Sequence, residues 1–166
     1  LSVGDKNNGN FVVLTNRDIS NDSTAVFGQL NYDITEALTL TVGARWTDSG
    51  KDLTITQFRA TGTESASGSQ TTTEVTPLIS LTWDLSDDVM LYGSYSEGYK
   101  NGGFGARFPV GLPDPIPSYD PEFVTNYELG MKADFFGGRM RLNAAAFRMD
   151  YEDMQVTATD PVTAAN

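Results

Sequence analysis

The sequence feature that most constrains the fold of this chain is a strict alternation of apolar and polar residues. In the segment 38–47, LTLTVGARWT, the even positions from Leu38 to Trp46 are apolar, and the odd positions are small, polar or charged. Successive side chains of a β-strand point to opposite faces of its sheet. The segment therefore predicts a strand with one apolar face and one polar face.

The same alternation marks further segments, which short links join in pairs. The segments are 26–34, 75–85, 89–96, 125–135 and 140–146. The links are TEA at 35–37, SDD at 86–88 and GG at 137–138. Polar and glycine residues are typical of tight turns, and glycine adopts positive φ without steric cost. The pattern therefore predicts three antiparallel hairpins with turns at these links.

Longer polar connections separate the predicted hairpins. They run over 48–73 and 100–121, and the stretch LTITQF at 53–58 is expected to extend the strand before it. Short turns at one end of the strands and long loops at the other are typical of outer-membrane barrels. Beyond Ala146 the apolar residues shift to odd positions, which predicts either a β-bulge or the end of a lipid-facing zone.

The strand count predicts an incomplete barrel. The smallest closed outer-membrane barrels have about eight strands, and lipid does not tolerate the open edges that six strands would leave. The chain of 166 residues also begins at Leu1 and ends in the polar PVTAAN, so both ends look cut from a longer protein. We therefore expect an all-β fold, an antiparallel transmembrane β-barrel segment of about six strands, over 1–166.

Composition excludes several classes of function. The chain has no cysteine and no histidine, so disulfides, thiolate or histidine metal sites and Ser-His-Asp catalysis are excluded. A formal charge of −11 argues against nucleic-acid binding, which requires a basic surface. No arrangement of a nucleophile, a base and an oxyanion site is visible. We expect no enzyme activity, no cofactor and no metal site.

One glycine-rich segment is a candidate for ligand contact. SEGYKNGGFGAR at 96–107 is neither a Walker loop nor a dinucleotide-binding motif, because no Gly-Lys-Ser/Thr follows and no helix is predicted. As an outer loop it would present Tyr99, Lys100, Phe104 and Arg107 to a ligand. The alternative is a strand end and a turn with no binding role.

The polar faces of the strands are predicted to line the barrel lumen. Their residues are Thr39, Thr41, Arg45, Asn126, Glu128, Lys132 and Arg141. The charged members are expected to form cross-strand ion pairs. Aromatic residues near the strand ends, such as Trp46 and Trp83 on the apolar face, are interpreted as girdles at the membrane interfaces. Core aromatics of a β-sandwich are the alternative.

Three stretches resemble the barrel of TonB-dependent receptors. MLYGSYSEGYKNGGFGARF resembles the family's LYASYSRGYKSGGFN, and STAVFGQLNYDITEALTLTVGARWT is similar to its aFgq..y.lt..l.l..GlRyt hairpin. YDPEFVTNYELGMKADFFGGRMRLNAAAFRMDYEDMQV is similar to its pE.v..yElGlKsdlfdgRlrlnaaaFy.dYkd.Qv hairpin. The stretches follow the family's order over most of the chain. Glu97 departs from the pattern, which has arginine there, and this reverses a charge near the outer loop.

The resemblance implies a larger receptor. It implies a bacterial outer-membrane barrel of about 22 strands with an N-terminal plug. It further implies active uptake of an iron–siderophore or a similar large nutrient, driven by the TonB complex. The partners would then be that ligand, outer-membrane lipid and, through the plug and the energy-coupling box, the TonB complex. The plug, the box and the remaining strands are absent from this chain.

Two other functions are compatible with the strand pattern alone. A passive porin or a structural barrel would show the same alternation, and a plug domain upstream in the full gene would distinguish the receptor from it. A soluble all-β binding protein, of the lipocalin or sandwich type, would need no detergent for extraction.

Overall fold

The computed structural model describes residues 13–105, 112–113 and 115–156. Their regular structure consists entirely of β-strands: β1 Leu14–Thr35, β2 Leu38–Arg59, β3 Gly62–Ser86, β4 Val89–Lys100, β5 Gly103–Phe104, β6 Ser118–Tyr119, β7 Glu122–Phe135 and β8 Met140–Glu152. Six of them form one sheet in the order β1-β2-β3-β4-β7-β8, and β5 pairs with β6. The predicted antiparallel segment of six main strands is confirmed. No helix among these residues is long and apolar enough to span a membrane.

The three predicted turns are confirmed, and local hydrogen bonds explain two of them. Thr35 Oγ1 accepts from the amide of Ala37 at 3.2 Å, and Ser86 Oγ accepts from the amide of Asp88 at 3.3 Å. The third turn has positive φ at Gly137 and Gly138, as the glycines predict, and also at Phe136. Short polar side chains and glycines therefore reverse the chain where the alternation stops.

The prediction of a long loop over 48–73 is wrong. β2 has 22 residues and β3 has 25, and a tight turn at 60–61 joins them directly. Gly62, just after the turn, has a φ of 142°. The serines, threonines and glycines of this stretch show no clear apolar alternation, but threonine and isoleucine favour extended backbone. The extension of the strand through LTITQF is confirmed.

The β7–β8 register is continuous, so the predicted bulge near Ala146 is wrong. Pairing runs without a shift from Phe135↔Met140 to Phe123↔Glu152. Phe147, Met149 and Tyr151 therefore lie on the polar face of the sheet, opposite to Ala146. The irregularity that does occur lies between Asp84 and Ser86 of β3, beside its turn with β4.

The register also arranges the apolar face of β3, β4, β7 and β8 in rows that run across the strands. We name them the apolar row (Leu81, Gly93, Leu129, Ala146), the tyrosine row (Ile79, Tyr95, Tyr127, Arg148) and the charged row (Glu97, Thr125, Asp150). From Phe135 to Tyr127 the strand rises about 27 Å, which is close to the roughly 25 Å of an outer-membrane apolar band before tilt is considered. Along the strands, this face is apolar up to the tyrosine row and polar beyond it, in the charged row.

Contacts divide the chain into two units. The first comprises 1–28, 45–75 and 101–120, and the second comprises 29–44, 76–100 and 121–166. The first has a buried cluster of Leu53, Ile55, Ala66 and Ile116. In the second, large apolar side chains are exposed on the apolar face, among them Leu129 at 70%. An ordinary soluble sheet would cover such a face.

Candidate functional site

A small polar cavity lies within the first unit, where β1, β2 and β3 meet the segment that follows β4. Its volume is about 140 Å³, and it is lined by Asn21, Asp22, Ser23, Ser49, Gly50, Lys51, Gln70, Thr72, Asn101 and Gly102. β1 and β2 each contribute three consecutive residues to its walls, whereas Gln70 and Thr72 of β3 alternate and share one face of the sheet. A cavity of this size holds a group about as large as a six-membered ring.

Hydrogen bonds hold the described residues of the segment 101–120 against the β2–β3 hairpin at this cavity. Lys51 Nζ donates to the Gly102 carbonyl at 2.9 Å, and Gln70 Nε2 donates to the Tyr119 carbonyl at 3.0 Å. The amide of Ile116 donates to the Ser67 carbonyl at 3.2 Å. The segment thus replaces solvent as the hydrogen-bonding partner of the hairpin's polar groups.

Glycines make this close approach possible. A Cβ atom at Gly102 would overlap the Tyr119 carbonyl and the Gln70 amide, and one at Gly68 would lie 2.6 Å from the ring of Phe104. The glycine-rich NGGFG therefore serves the docking of the loop. Sequence reasoning read these glycines only as signs of an outer loop, because their contact partners lie far away in the chain.

An apolar cluster completes the attachment of the loop. Ile116 is buried with Leu53, Ile55 and Ala66, and Phe104 and Leu112 pack against them. Ile55 is the most deeply buried, with 1% of its surface exposed. Burial of apolar area is the largest favourable term in such a contact. It fixes the described part of the loop in one position on the hairpin.

The cavity offers both hydrogen-bond donors and acceptors to a polar group, because the carboxylate of Asp22 lines it together with Lys51 and several hydroxyl and amide groups. Ser49 and Thr72 are buried hydroxyl residues, each 7% exposed. Lys51 donates to a neutral carbonyl, and no carboxylate of the described residues lies within salt-bridge distance of it. Its positive charge and the surrounding hydroxyl and amide groups together offer donors to an anionic oxygen.

Of the four predicted ligand-contact residues, the three that the structure describes make separate contacts. Tyr99 pairs with Phe123, and their rings stack at 6.4 Å. Lys100, on the opposite face, forms an ion pair of 3.9 Å with Glu122. Phe104 packs against the buried cluster of the first unit. Arg107 lies outside the described residues.

Two of the three predicted lumen residues of β2 hydrogen-bond across the β1–β2 hairpin. Thr39 Oγ1 donates to Asp33 at 2.8 Å, and Thr41 Oγ1 donates to Asn31 at 3.0 Å. Arg45 Nε donates to Thr47 at 3.1 Å, and its guanidinium lies 5.8 Å from the centre of the Phe27 ring. Polar side chains that satisfy one another suit a wall that faces water.

The predicted cross-strand ion pair is confirmed for Arg141. Its guanidinium makes two bonds of 2.7 and 2.8 Å to Asp134 on β7. Glu128 instead accepts from the Tyr92 hydroxyl at 2.5 Å. Lys132 is exposed on the same polar face, opposite Met90 and Asn143.

Asn126 differs from the other predicted lumen residues. Its side-chain oxygen is buried, and the described residues supply no hydrogen bond to it. A buried acceptor of this kind is a position at which water or another polar group would bind.

The comparison with protein families decides the class of this chain. The family model for the TonB dependent receptor-like β-barrel matches residues 1–166. The chain belongs to this family. Members are transport receptors of the bacterial outer membrane, so the chain is part of an outer-membrane β-barrel protein.

Individual relatives agree with this assignment. The ferric-pyoverdine M114 receptor PbuA of Pseudomonas sp. (strain M114) is 31% identical over 124 residues, which are 72% of this chain and 14% of that protein. The probable TonB-dependent siderophore receptor PiuA of Acinetobacter baumannii is 28% identical over 154 residues, 90% of this chain and 20% of that protein. The chain thus spans a fifth or less of these curated relatives.

Solved receptor structures share the fold. The ferric yersiniabactin uptake receptor FyuA from Yersinia pestis matches with a TM-score of 0.76 at 22% identity, over 87% of this chain and 22% of that chain. The siderophore receptor PiuA from Acinetobacter baumannii matches with a TM-score of 0.62 at 23% identity, over 79% of this chain and 19% of that chain. The soluble sandwich or lipocalin alternative is therefore wrong.

Proposed function

We propose that this chain is a wall-and-loop segment of an outer-membrane receptor that takes up an iron–siderophore or a similar large nutrient. The TonB complex would energise uptake through a plug and an energy-coupling box that belong to the rest of the receptor. The segment itself performs no catalysis. The relatives named for ferric-pyoverdine and ferric yersiniabactin support this proposal.

The observation that carries the proposal is the docked loop and its polar cavity. Capture of a large ligand requires loops held in a defined position, because ordering them on binding costs affinity. The apolar cluster around Ile116 supplies that order. Lys51 and the buried hydroxyls of Ser49 and Thr72 then receive one anionic arm of the chelate.

The other predicted residues have roles along the same route. Tyr99 and Lys100 lie at the end of β4 that leads into the long connection, on the side from which a ligand would enter. The polar-face residues would line the path past the plug: Thr39, Thr41, Arg45, Asn126, Glu128, Lys132 and Arg141.

Uptake of radioactive iron by iron-starved cells tests the proposal. Cells would express the full-length receptor and receive the ferric complexes of a catecholate, a hydroxamate and a carboxylate siderophore. We expect uptake of at least one complex, and we expect it to stop in a strain without TonB. Uptake that continues without TonB would instead indicate a passive porin.

The cavity is tested by Lys51→Met in the same receptor. Loss of a charge-assisted hydrogen bond of about 1.5–3 kcal/mol lowers ligand affinity about tenfold or more. The matched control is Arg139→Met, which removes an exposed cation from the turn between β7 and β8. Equal affinities for the two variants would exclude Lys51 from the binding site.

A further inference from the structure

The chain leaves β8 through a turn that brings it back to the beginning of β7. The strand ends at Glu152, and the next residue, Asp153, has a φ of 52°. Positive φ is uncommon outside glycine, although aspartate adopts it more readily than most residues. Beyond this turn the amide of Gln155 donates to Glu122 Oε2 at 2.9 Å. The described residues after β8, 153–156, which we name the exit segment, are therefore fastened to the first residue of β7.

The same carboxylate oxygen also faces a lysine of the neighbouring strand. Lys100 and Glu122 are the last pair in the β4–β7 register, and Lys100 Nζ lies 3.9 Å from Glu122 Oε2. The side chain of Lys100 is 66% exposed, whereas that of Glu122 is 17% exposed. Solvent screens an ion pair of this kind, whereas a part-buried carboxylate binds a backbone amide strongly. The amide of Gln155 is therefore the principal partner of Glu122.

The beginning of β7 is itself held in place, so the Glu122 carboxylate has a defined position. On the opposite face of the strands, the rings of Tyr99 and Phe123 stack with centroids 6.4 Å apart. Pro121 precedes Glu122, and its ring restricts the backbone to a narrow range of φ. Both features limit the movement of the acceptor, so its hydrogen bond fixes the exit segment and not only one side chain.

The exit segment lies at the external end of the lumen. Glu122 shares the polar face of β7 with Glu128, because alternate residues of a strand point to one side. The same end of β7 continues from the connection 101–121, and long connections of outer-membrane barrels are external. Within the segment, Met154 and Val156 are exposed. A ligand that enters the lumen from outside would therefore pass these residues.

We infer that Glu122 is a positioning residue, which holds the exit segment at the external end of the lumen in the conformation that receives the ligand. The role in ligand capture rests on the proposed function, whereas the position of the segment is a property of the receptor without ligand. A segment that is already ordered spares the ligand the cost of ordering it on binding. Loss of the bond should therefore weaken capture and leave the later transport step unchanged.

Hydrogen exchange of the full-length receptor in detergent tests the position of the segment without any ligand. Glu122→Ala removes the acceptor, whereas Glu122→Gln retains a carbonyl oxygen that can accept from Gln155. Lys100→Met removes only the ion pair. The matched control is Glu152→Ala, which removes an exposed carboxylate beside the exit segment. Heat-modifiable migration on gels verifies that each variant is folded.

We expect the amide of Gln155 to exchange at least about tenfold faster in Glu122→Ala, as loss of a charge-assisted hydrogen bond predicts. Glu122→Gln should be intermediate, and Lys100→Met should change the rate by no more than about fivefold. Glu152→Ala should match the wild type. Unchanged exchange in Glu122→Ala, or an equal change in Glu152→Ala, overturns the inference.

Uptake of radioactive iron measures the consequence for capture, with the ferric complexes of a catecholate, a hydroxamate and a carboxylate siderophore as probes. For a complex that the wild type takes up, Glu122→Ala should raise the half-saturating concentration by up to about tenfold at an unchanged maximal rate. Glu122→Gln should restore most of the loss. A lower maximal rate at an unchanged half-saturating concentration overturns the inference. Absence of uptake by the wild type contradicts the proposed function alone, and the exchange of Gln155 then decides whether Glu122 positions the segment.

Discussion

Val42 and Thr41 are neighbours in the chain but lie on opposite faces of β2. Val42 is 43% exposed on the apolar face, whereas the Thr41 hydroxyl donates to Asn31 on the polar face. In the full-length receptor we expect Val42→Arg to cost about 2–4 kcal/mol, because it places a charge in hydrocarbon. Thr41→Arg should cost about 1 kcal/mol, the value of the lost hydrogen bond.

Folding titrations in lipid vesicles measure both variants. The two changes introduce the same residue one position apart in one strand, so differences in strand propensity are small beside the cost of a buried charge. If Thr41→Arg were as damaging as Val42→Arg, the assignment of the two faces to lumen and lipid would be wrong.

Gly130 has no side chain, and the space this leaves is filled by the ring of Tyr92. The ring of Tyr92 lies directly over Gly130, its cross-strand partner, and its hydroxyl reaches Glu128 at 2.5 Å. A Cβ atom at Gly130 would overlap this ring. We expect Gly130→Ala to destabilise the receptor by about 1–3 kcal/mol, through overpacking or through loss of the Tyr92–Glu128 hydrogen bond.

Gly28→Ala is the matched control, because a Cβ atom there meets no atom within 4 Å. That variant should be neutral or slightly stabilising, since alanine loses less conformational freedom on folding than glycine. Denaturant unfolding in vesicles compares the two. Equal stabilities of the two variants would show that Tyr92 does not depend on the open space at Gly130.

At the scale of elements, the docking of the segment 101–120 on the β2–β3 hairpin depends on Ile116. Its side chain is 3% exposed within the cluster of Leu53, Ile55 and Ala66. Ile116→Ala removes most of its apolar contact, and truncation of such a buried residue to alanine costs about 2–5 kcal/mol. We expect faster amide hydrogen exchange at position 116 and at Ser118 and Tyr119, the residues of 115–119 that carry an amide hydrogen, because the segment then opens more often.

Pro115→Ala provides the control, since Pro115 is exposed beside Ile116. Its exchange pattern should stay close to that of the wild type. Exchange over 115–119 that did not change in Ile116→Ala would mean that the polar bonds of Lys51 and Gln70 hold the segment without help from the apolar cluster.

At the scale of the whole molecule, the isolated chain of 166 residues should not form a stable soluble monomer. Its described sheet has β1 and β8 as edges, and large apolar side chains such as Leu30, at 77%, are exposed. Unpaired strand edges and apolar patches both favour aggregation. Expression without detergent, followed by size-exclusion chromatography, measures this.

A sharp monomer peak with a cooperative thermal transition would contradict that expectation. It would show that the apolar face is covered within the chain itself, and the assignment of this face to lipid would then fail. Aggregation in buffer together with a defined particle in detergent is the expected pair of results.

Local chemistry determined the strands, their faces and most of their turns. The strand over 38–47 and the turn at 137–138 depend on residues a few positions apart, so the sequence alone predicts both. The resemblance to TonB-dependent receptors also rests on contiguous stretches, and the family comparison agrees with it. The predicted strand bounds were wrong over 48–73. Serine and threonine occupy both faces of the strands there, so the sequence shows no alternation of apolar and polar residues.

Only the tertiary structure decided which distant residues meet. Phe104 lies over Gly68, Lys51 bonds to Gly102, and Ile116 enters the cluster of Ile55. Each contact joins residues separated by a long stretch of chain, and its formation depends on loop closure and packing rather than on local pattern. The same holds for the apolar row, because Gly93 and Ala146 come to lie on either side of Leu129 only through the register of β4, β7 and β8.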